Sequence, residues 1–201
     1  MSEQGASSEG AQIAIIGMAG RFPGARNLEE YWRNLAAGVE SVKFFTEAEL
    51  LAAGETPAAL QDPNYVRAWP VLEDIDAFDA GFFGMSPRDA AVMDPQHRMY
   101  LQVAWAALED AGYDVDGLTA PVGVFAANGM NTYMMFHLVT NQEVMDTVGE
   151  WLVRHTGNDM NFLATRVSYQ MNLKGPSMNV QTACSSSLVA VHSACQSLLN
   201  G

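Results

Sequence analysis

The sequence predicts an α/β fold with a mainly parallel sheet. Short apolar runs of the kind that forms buried strands occupy 13–17 and 122–126, and a third strand is predicted at 177–181. Segments with helical spacing of apolar residues separate these runs. Buried strands that alternate with helices are typical of parallel sheets. At 201 residues, with 49% hydrophobic and 16% charged residues, the chain is long and apolar enough for one sizeable core.

Cap signals place the helices in the first half of the chain. These signals are Asn27 with Glu30, Thr46 with Glu49, Ser86 with Pro87 and Asp94 with Pro95. They predict a helix that stops near Gly38, a short helix after Thr46, and two helices at about 87–93 and 95–111. The last of these carries an apolar face and ends at Gly112. That face consists of Leu101, Ala104, Trp105 and Leu108.

Two segments of the first half are interpreted as loops without a ligand. Residues 17–24 are rich in glycine, but the G-x-G-x-x-G spacing is absent and Pro23 interrupts any helix entry, so a dinucleotide site is not favoured. Residues 54–70 are rich in Pro, Gly and Asn and predict a loop. The acids that follow are Glu73, Asp74, Asp76 and Asp79. They predict a solvated face rather than a metal cluster.

A Met- and aromatic-rich segment at 132–138 follows the strand at 122–126. Such a segment can line an adaptable pocket, form a subunit contact or fill gaps in a core, and the last is the commonest use. Polar residues at 156–159 then predict the cap of a helix that extends to Tyr169.

The stretch from Gly175 to Gly201 contains no acidic residue, lysine or arginine. It predicts a strand, a turn and a core helix from Ser185 to Asn200, with Gly201 as the helix stop. Cys184 lies where strand and helix meet, where free backbone N–H groups and the positive end of the helix dipole favour a thiolate. Cys184 is therefore a candidate nucleophile, although a buried, unreactive cysteine also fits this position.

The second cysteine, Cys195, lies on the same predicted helix, about 16 Å from Cys184. This separation is too large for a disulfide, so Cys195 is predicted to be part of the core. No cysteine framework or metal-ligand spacing is present, so we expect no metal and a reducing, cytoplasmic location. Residues 1–11 are expected to be a flexible lead without a secretory signal, and no complete domain is expected before them.

The net charge of −13 is concentrated in the first part of the chain. Residues 1–120 hold 19 acidic and 7 basic side chains, whereas residues 121–201 hold 4 and 3. An acidic surface of this kind repels phosphate backbones and anionic lipids. We therefore expect neither a nucleic acid nor a membrane partner.

Three long motifs carry a resemblance to a known family. They are IAIIGMAGRFPG, FDAGFFGMSPRDAAVMDPQHRMYLQVAWAALEDAG and NFLATRVSYQMNLKGPSMNVQTACSSSLVAVHSACQSLLNG. Together they resemble the N-terminal half of a β-ketoacyl synthase domain from a modular type I polyketide synthase, with residues 12–201 as a partial domain. The resemblance implies a thiolase-like fold with layered αβαβα architecture, of which the N-terminal part is present, and a homodimer.

The resemblance also implies a reaction. In the family, the cysteine at the position of Cys184 takes an acyl chain from a phosphopantetheine thioester of an acyl carrier protein, with its own backbone N–H as oxyanion donor. A malonyl-type extender is then decarboxylated and condensed with the bound acyl group. No directly bound cofactor is implied. The alternative is a catalytically inert or chain-length-determining relative, in which the cysteine is typically replaced, often by glutamine.

The sequence departs from the family pattern in its histidines. Family members place two catalytic histidines, a lysine and a glycine-rich oxyanion loop further downstream, and this sequence ends before them. None of His97, His137, His155 and His192 lies in a matching motif. His97 is predicted to form hydrogen bonds at a helix start, and His192 lies about 12 Å along the helix from Cys184, too far to be its base. The chain is therefore expected to be a truncated piece, with the carrier-protein docking surface mainly outside it.

Overall fold

The computed structural model describes residues 12–155 and 157–200. These residues divide into two compact units, one formed by 19–77 and the other by 12–18 with 78–200. The predicted flexible lead at 1–11 and the predicted helix stop at Gly201 lie outside the described residues.

The smaller unit contains three helices and one strand pair. Its elements are α1 (Leu28–Ala37), β1 (Lys43–Phe44), α2 (Glu47–Ala52), α3 (Pro57–Leu60) and β2 (Ala68–Trp69). The cap predictions are confirmed: the Asn27 side chain accepts a hydrogen bond from the Glu30 N–H at 2.9 Å, and Thr46 forms a reciprocal capping box with Glu49. Strands β1 and β2 pair antiparallel.

The prediction of a plain loop at 54–70 was wrong, because this segment contains α3 and β2. Helix α3 begins with Thr56 as cap and Pro57 in the first turn, which is the same signature that predicted two later helices. The acidic segment that follows behaves as predicted: exposed Glu73 and Asp74 pair with Arg26 at 3.6 and 3.3 Å.

The larger unit holds the remaining helices and a parallel strand pair. Its elements are α4 (Pro87–Ala91), α5 (Pro95–Asp110), β3 (Val124–Ala126), a π-helix (Met134–Leu138), α6 (Gln142–Val148), α7 (Glu150–His155), a 3₁₀ turn (Met160–Phe162), α8 (Leu163–Gln170), β4 (Ser177–Asn179), a second 3₁₀ turn (Ala183–Ser185) and α9 (Ser186–Asn200). The predicted helices at 87–93 and 95–111 are confirmed to within two residues at either end.

The core of this unit lies between α5, α8 and the strand pair. Leu101 of α5 packs with Val124 of β3 and with Leu163 and Val167 of α8. Strands β3 and β4 are parallel, with Val124 opposite Ser177. The parallel pairing expected between the segments at 122–126 and 177–181 is thus confirmed, over shorter strands.

The predicted buried strand at 13–17 is not formed. Ile15 is 81% exposed, and Gly17 instead packs against the C-terminal end of α5, where a Cβ on Gly17 would lie 2.6 Å from the Ala107 carbonyl oxygen. The backbone N–H of Met18 bonds to Asp110 of the same helix at 2.8 Å. An apolar run becomes a strand only where a neighbouring strand pairs with it, and no strand of the described part of the chain does so here.

Helix α9 forms where the sequence predicts it, but the prediction of a core helix was wrong for its outer face. Of its residues, Ser186 and Ala190 are buried, whereas Leu188 is 75% exposed and Val191 and Leu198 are also exposed. The helix contacts β3 with one side, and its apolar outer face has no packing partner among the described residues. Across the described residues, no helix is long and apolar enough to cross a bilayer.

Candidate active site

Cys184 lies on the 3₁₀ turn that joins β4 to α9. It is exposed, so the alternative of a buried structural cysteine does not describe it. The residue before it, Ala183, has a φ of +53°, in the left-handed region that side chains other than glycine seldom occupy. Such a conformation costs free energy and persists only where surrounding contacts stabilise it. The predicted location of Cys184, at a strand-to-helix junction, is confirmed.

The serines that follow Cys184 lock this turn. The Ser186 hydroxyl accepts a hydrogen bond from the Thr182 N–H at 2.8 Å and donates one to the Ala183 carbonyl oxygen at 2.8 Å. The Ser185 hydroxyl donates to the Thr182 carbonyl oxygen at 2.9 Å. Both hydroxyls therefore satisfy backbone groups of the turn that carries the cysteine, which fixes the position of Cys184.

Cys184 lines an open cleft of about 920 Å³. Besides Ala183 and Cys184, its walls are formed by Asn128, Gly129, Met130, Asn131, Met134, Met135, His155, Asn158, Asp159, Met160 and Gln181. These residues come from the loop after β3, the start of the π-helix, the end of α7, the segment before α8, and the segment between β4 and α9. The cleft thus collects segments that are distant in the sequence.

A buried pair of asparagines holds one side of the cleft together. The Asn131 side-chain amide donates to the carbonyl oxygen and the side-chain oxygen of Asn158, at 2.8 and 2.9 Å. The Asn158 amide in turn donates to the carbonyl oxygens of Val92 and Val153, at 2.6 Å each. The Asn131 side-chain oxygen accepts from the Met134 N–H at 2.7 Å, so both amide groups are used in full. The pair thereby connects the end of α4, helix α7 and the start of the π-helix.

The methionines of this region do more than fill the core. Met130 is 70% exposed, and Met130, Met134, Met135 and Met160 line the cleft. The core-filling prediction also holds for part of the segment: Leu138 is buried with Val92 and Val153, and Tyr133 and Met134 pack against that cluster. Both alternatives therefore describe the segment: it fills part of the core, and on the cleft side its flexible thioether side chains form a compliant apolar wall.

One histidine of the cleft was missed by reasoning from the sequence. His155 lines the cleft with Cys184, its Nδ1 lies 2.9 Å from the Trp151 carbonyl oxygen, and its ring stacks on Trp151. No motif or partner near His155 in the chain indicates that it shares a cleft with Cys184. His192 is exposed on α9 and is not among the residues that line the cleft.

The prediction of a hydrogen-bonding role for His97 was wrong. His97 is fully buried, and neither ring nitrogen has a hydrogen-bond partner. Burial, together with the positive charge of the nearby Arg166, lowers the pKa of His97 to about 4, and Asp159 opposes part of the change. His97 is therefore a neutral ring in the core of the larger unit at neutral pH.

Cys195 is half-buried on α9 and lies outside the two clusters of core side chains, so its prediction as a core residue was wrong. Both cysteines are free thiols. No group of three or more His, Cys, Asp and Glu side chains within 12–155 and 157–200 is arranged to hold a metal ion.

A cysteine on a locked strand-to-helix turn, open to an apolar cleft, defines a candidate nucleophile site. Comparison with known families assigns the fold that carries it. Residues 11–201 match the family described as the N-terminal domain of β-ketoacyl synthases, and the chain belongs to this family. Its fold is accordingly the thiolase-like fold, of which the N-terminal part is present.

The similar proteins are modular type I polyketide synthases. The chain is 50% identical over 194 residues to a subunit of the phenolphthiocerol/phthiocerol polyketide synthase of Mycobacterium tuberculosis, a match that covers 94% of this chain and 13% of that protein. It is 40% identical to the pikromycin polyketide synthase component PikAII of Streptomyces venezuelae, over 94% of this chain and 5% of that protein. The chain therefore spans a small fraction of the length of these relatives.

Solved ketosynthase domains share the fold. The oxazolomycin ketosynthase domain OzmH KS7 of Streptomyces albus matches with a TM-score of 0.80 and 34% identity, over 95% of this chain and 33% of that structure. Ketosynthase twelve of the bacillaene polyketide synthase of Bacillus amyloliquefaciens matches with a TM-score of 0.77 and 37% identity, over 94% and 32%. The chain thus corresponds to about a third of these solved chains.

Proposed function

We propose that this chain carries the acyl-accepting site of a β-ketoacyl-[acyl carrier protein] synthase and that Cys184 is its nucleophile. The observation that carries the proposal is the exposure of Cys184 on a turn locked by Ser185 and Ser186, at the edge of an apolar cleft. Membership of the β-ketoacyl synthase family supports the same assignment.

The first half-reaction is a transfer of the acyl group between two thiols. The Cys184 thiolate attacks the carbonyl carbon of an acyl thioester and forms a tetrahedral oxyanion. As that intermediate collapses, the bond to the donor sulfur breaks and the donor leaves as a thiolate, which takes up a proton. Cys184 is the second residue of the 3₁₀ turn before α9, and N–H groups in the first turn of a helix lack intrahelical acceptors. The Cys184 N–H is the donor we assign to the oxyanion.

The cleft fits the acyl part of such a donor. Its wall of four methionines can pack against a flexible alkyl chain, and each buried methylene stabilises the complex by about 0.8 kcal/mol. The donor that we propose is the phosphopantetheine arm of an acyl carrier protein, which the protein would meet as a partner rather than hold as a resident cofactor. The relatives are named as polyketide synthases, which is consistent with this donor.

The second half-reaction would form the carbon–carbon bond. A malonyl-type thioester loses CO₂, and the resulting carbanion attacks the carbonyl carbon of the Cys184 thioester, which releases the cysteine thiolate and a β-ketoacyl thioester. Among the described cleft residues, His155 is the one imidazole, and lysine and arginine are not represented. We therefore propose that decarboxylation uses catalytic groups outside this set of residues, contributed by the full-length protein. We propose further that the full-length protein acts as a homodimer.

The test is a single-turnover acylation experiment on the native polypeptide that contains this chain. Octanoyl-pantetheine is added, and chromatography follows the release of pantetheine with time. We expect one equivalent per protomer, release that saturates with thioester concentration, no release by Cys184→Ala, and unchanged release by Cys195→Ala. Equal release by the Cys184→Ala protein, or none by the wild type, would contradict the proposal, and the latter is the result expected of an inert relative.

A further inference from the structure

A continuous set of hydrogen bonds connects the first turn of α5 to the wall of the cysteine cleft. The Gln96 side chain accepts a hydrogen bond from the Gly129 N–H at 2.7 Å, and its amide nitrogen lies 3.4 Å from the Gly129 carbonyl oxygen. One carboxamide therefore holds both backbone groups of a residue that lines the cleft. Glutamine is suited to this contact because its side chain both donates and accepts.

The Gln96 side chain is itself fixed by the residue that caps α5. Asp94 is 2% exposed; one of its carboxylate oxygens accepts from the Gln96 N–H at 2.8 Å, and the other accepts from the Gln96 amide nitrogen at 3.1 Å. The capping carboxylate of Asp94 thus orients the Gln96 side chain toward Gly129. Because Asp94 is buried and hydrogen-bonded, it holds the Gln96 side chain in a fixed orientation.

The loop 128–130, which contains Gly129, also contacts the segment that carries the nucleophile. Asn128, next to Gly129, accepts two hydrogen bonds from the Gln181 amide nitrogen, one on its carbonyl oxygen and one on its side-chain oxygen, each at 3.1 Å. Gln181 lies three residues before Cys184, and all four residues line the cleft. The position of the loop relative to Cys184 is thereby determined by Gln96 on one side and Gln181 on the other.

We propose that Gln96 is a positioning residue for the acyl-donor site: through Gly129 it sets the place of the loop 128–130 opposite Cys184, and so the width of the cleft that receives the thioester. This role rests on the function proposed above. Gln96 acts through Gly129 and not by direct contact with the donor, because Gln96 is not among the residues that line the cleft. Loss of the hydrogen bonds between Gln96 and Gly129 should weaken binding of the acyl donor while the thiol of Cys184 keeps its intrinsic reactivity.

The test compares Gln96→Glu and Gln96→Leu with the wild type in the native polypeptide. The glutamate loses the donor group and places a second carboxylate beside Asp94, whereas the leucine removes both hydrogen bonds to Gly129 and the one to Asp94 without adding charge. Gln196→Glu is the matched control, because Gln196 is exposed on α9, away from the cleft. Two quantities are measured for each protein: the concentration of octanoyl-pantetheine that half-saturates acylation, and the rate of Cys184 alkylation by iodoacetamide. Iodoacetamide is small enough to react with the thiol without binding to the loop 128–130.

We expect the half-saturating concentration of octanoyl-pantetheine to rise by about fivefold or more in both Gln96 variants, because each loses one or two hydrogen bonds to Gly129. The rate of Cys184 alkylation should stay within about twofold of the wild-type rate. Gln196→Glu should match the wild type in both measurements. Unchanged half-saturation in Gln96→Leu, or a parallel loss of alkylation, would overturn the positioning role. Absence of saturable acylation in the wild type would instead overturn the proposed function, and this role with it.

Discussion

The hydroxyl of Ser186 bonds to the backbone N–H of Thr182 at 2.8 Å, across the turn that contains Cys184. The same hydroxyl donates to the Ala183 carbonyl oxygen, so one buried side chain satisfies backbone groups on both sides of the strained Ala183 peptide unit. The serine after Ser185 in the TACSSS motif is therefore a structural part of the nucleophile turn. This relationship accounts for a backbone conformation that an alanine would not adopt unaided.

Substitution of Ser186 by alanine should slow acylation of Cys184 by about tenfold or more, because the cysteine loses its fixed position relative to the thioester. Removal of the hydroxyl leaves the Thr182 N–H without its acceptor, and we expect the fold to lose about 1 kcal/mol. Single-turnover acylation and denaturant titration measure the two effects. Ser187→Ala is the control, since Ser187 is exposed. Equal rates in the two variants would show that Ser186 does not position the cysteine.

Substitution of Gly175 by alanine should destabilise the larger unit by about 2 kcal/mol. A Cβ at this position would lie 2.4 to 2.6 Å from backbone atoms of Val122 and Gly123, at the point where β3 and β4 begin to pair. The clash involves backbone, so the strand pair has to separate. Gly81→Ala is the matched control, because its nearest neighbour is a carboxylate oxygen of Asp79 at 3.5 Å. A denaturation midpoint unchanged in Gly175→Ala would refute the close approach.

Burial of neutral His97 should make stability depend on pH in a defined window. The unfolded chain binds a proton at the ordinary pKa near 6.5, whereas the folded protein does so only at about 4. Stability is therefore fully present above pH 6.5 and falls as the pH is lowered toward 4, by about 3 kcal/mol in total. We would measure the free energy of unfolding of the wild type and of His97→Phe at pH 7, 5.5 and 4. The difference between the two proteins should change in favour of the variant as the pH falls, and a constant difference would contradict a neutral, unpartnered ring.

The methionine wall should determine which acyl chains are accepted. Met130→Glu or Met135→Glu introduces a carboxylate into the apolar surface of the cleft, and we expect the half-saturating concentration to rise by about tenfold for octanoyl-pantetheine and by less for acetyl-pantetheine. Met178→Glu is the control, because Met178 is exposed on β4 and does not line the cleft. An equal effect on both donors would show that the methionines do not contact the acyl chain.

The sequence predicted those features of the fold that depend on neighbouring residues. The caps at Asn27, Thr46, Ser86 and Asp94 were confirmed because each needs only a side chain and an N–H two or three residues later. The strand-to-helix junction at Cys184 was also confirmed. The resemblance to ketosynthases was also confirmed, because long motifs record the family directly.

Features that depend on distant segments could not be predicted in this way. The apolar runs at 13–17 and along α9 indicated burial, but hydrophobicity does not specify which element covers a surface. Among the described residues, the first run and the outer face of α9 are exposed. His155 lines the cleft, and Gln96 is hydrogen-bonded to Gly129. Each of these contacts joins parts of the chain that no local pattern connects. Both depend on the packing of β3, α5 and α7 around the cleft.

The most direct measurement of the central claim is the location of the acyl group after a single turnover. The native polypeptide is incubated with octanoyl-pantetheine, quenched at acidic pH, digested, and analysed by tandem mass spectrometry. We predict one octanoyl group, attached to Cys184 and absent from Cys195, even though both are free thiols. An acyl group on Cys195 or on a serine of the turn, or label spread over several nucleophiles, would contradict the assignment of Cys184 as the acyl-accepting residue.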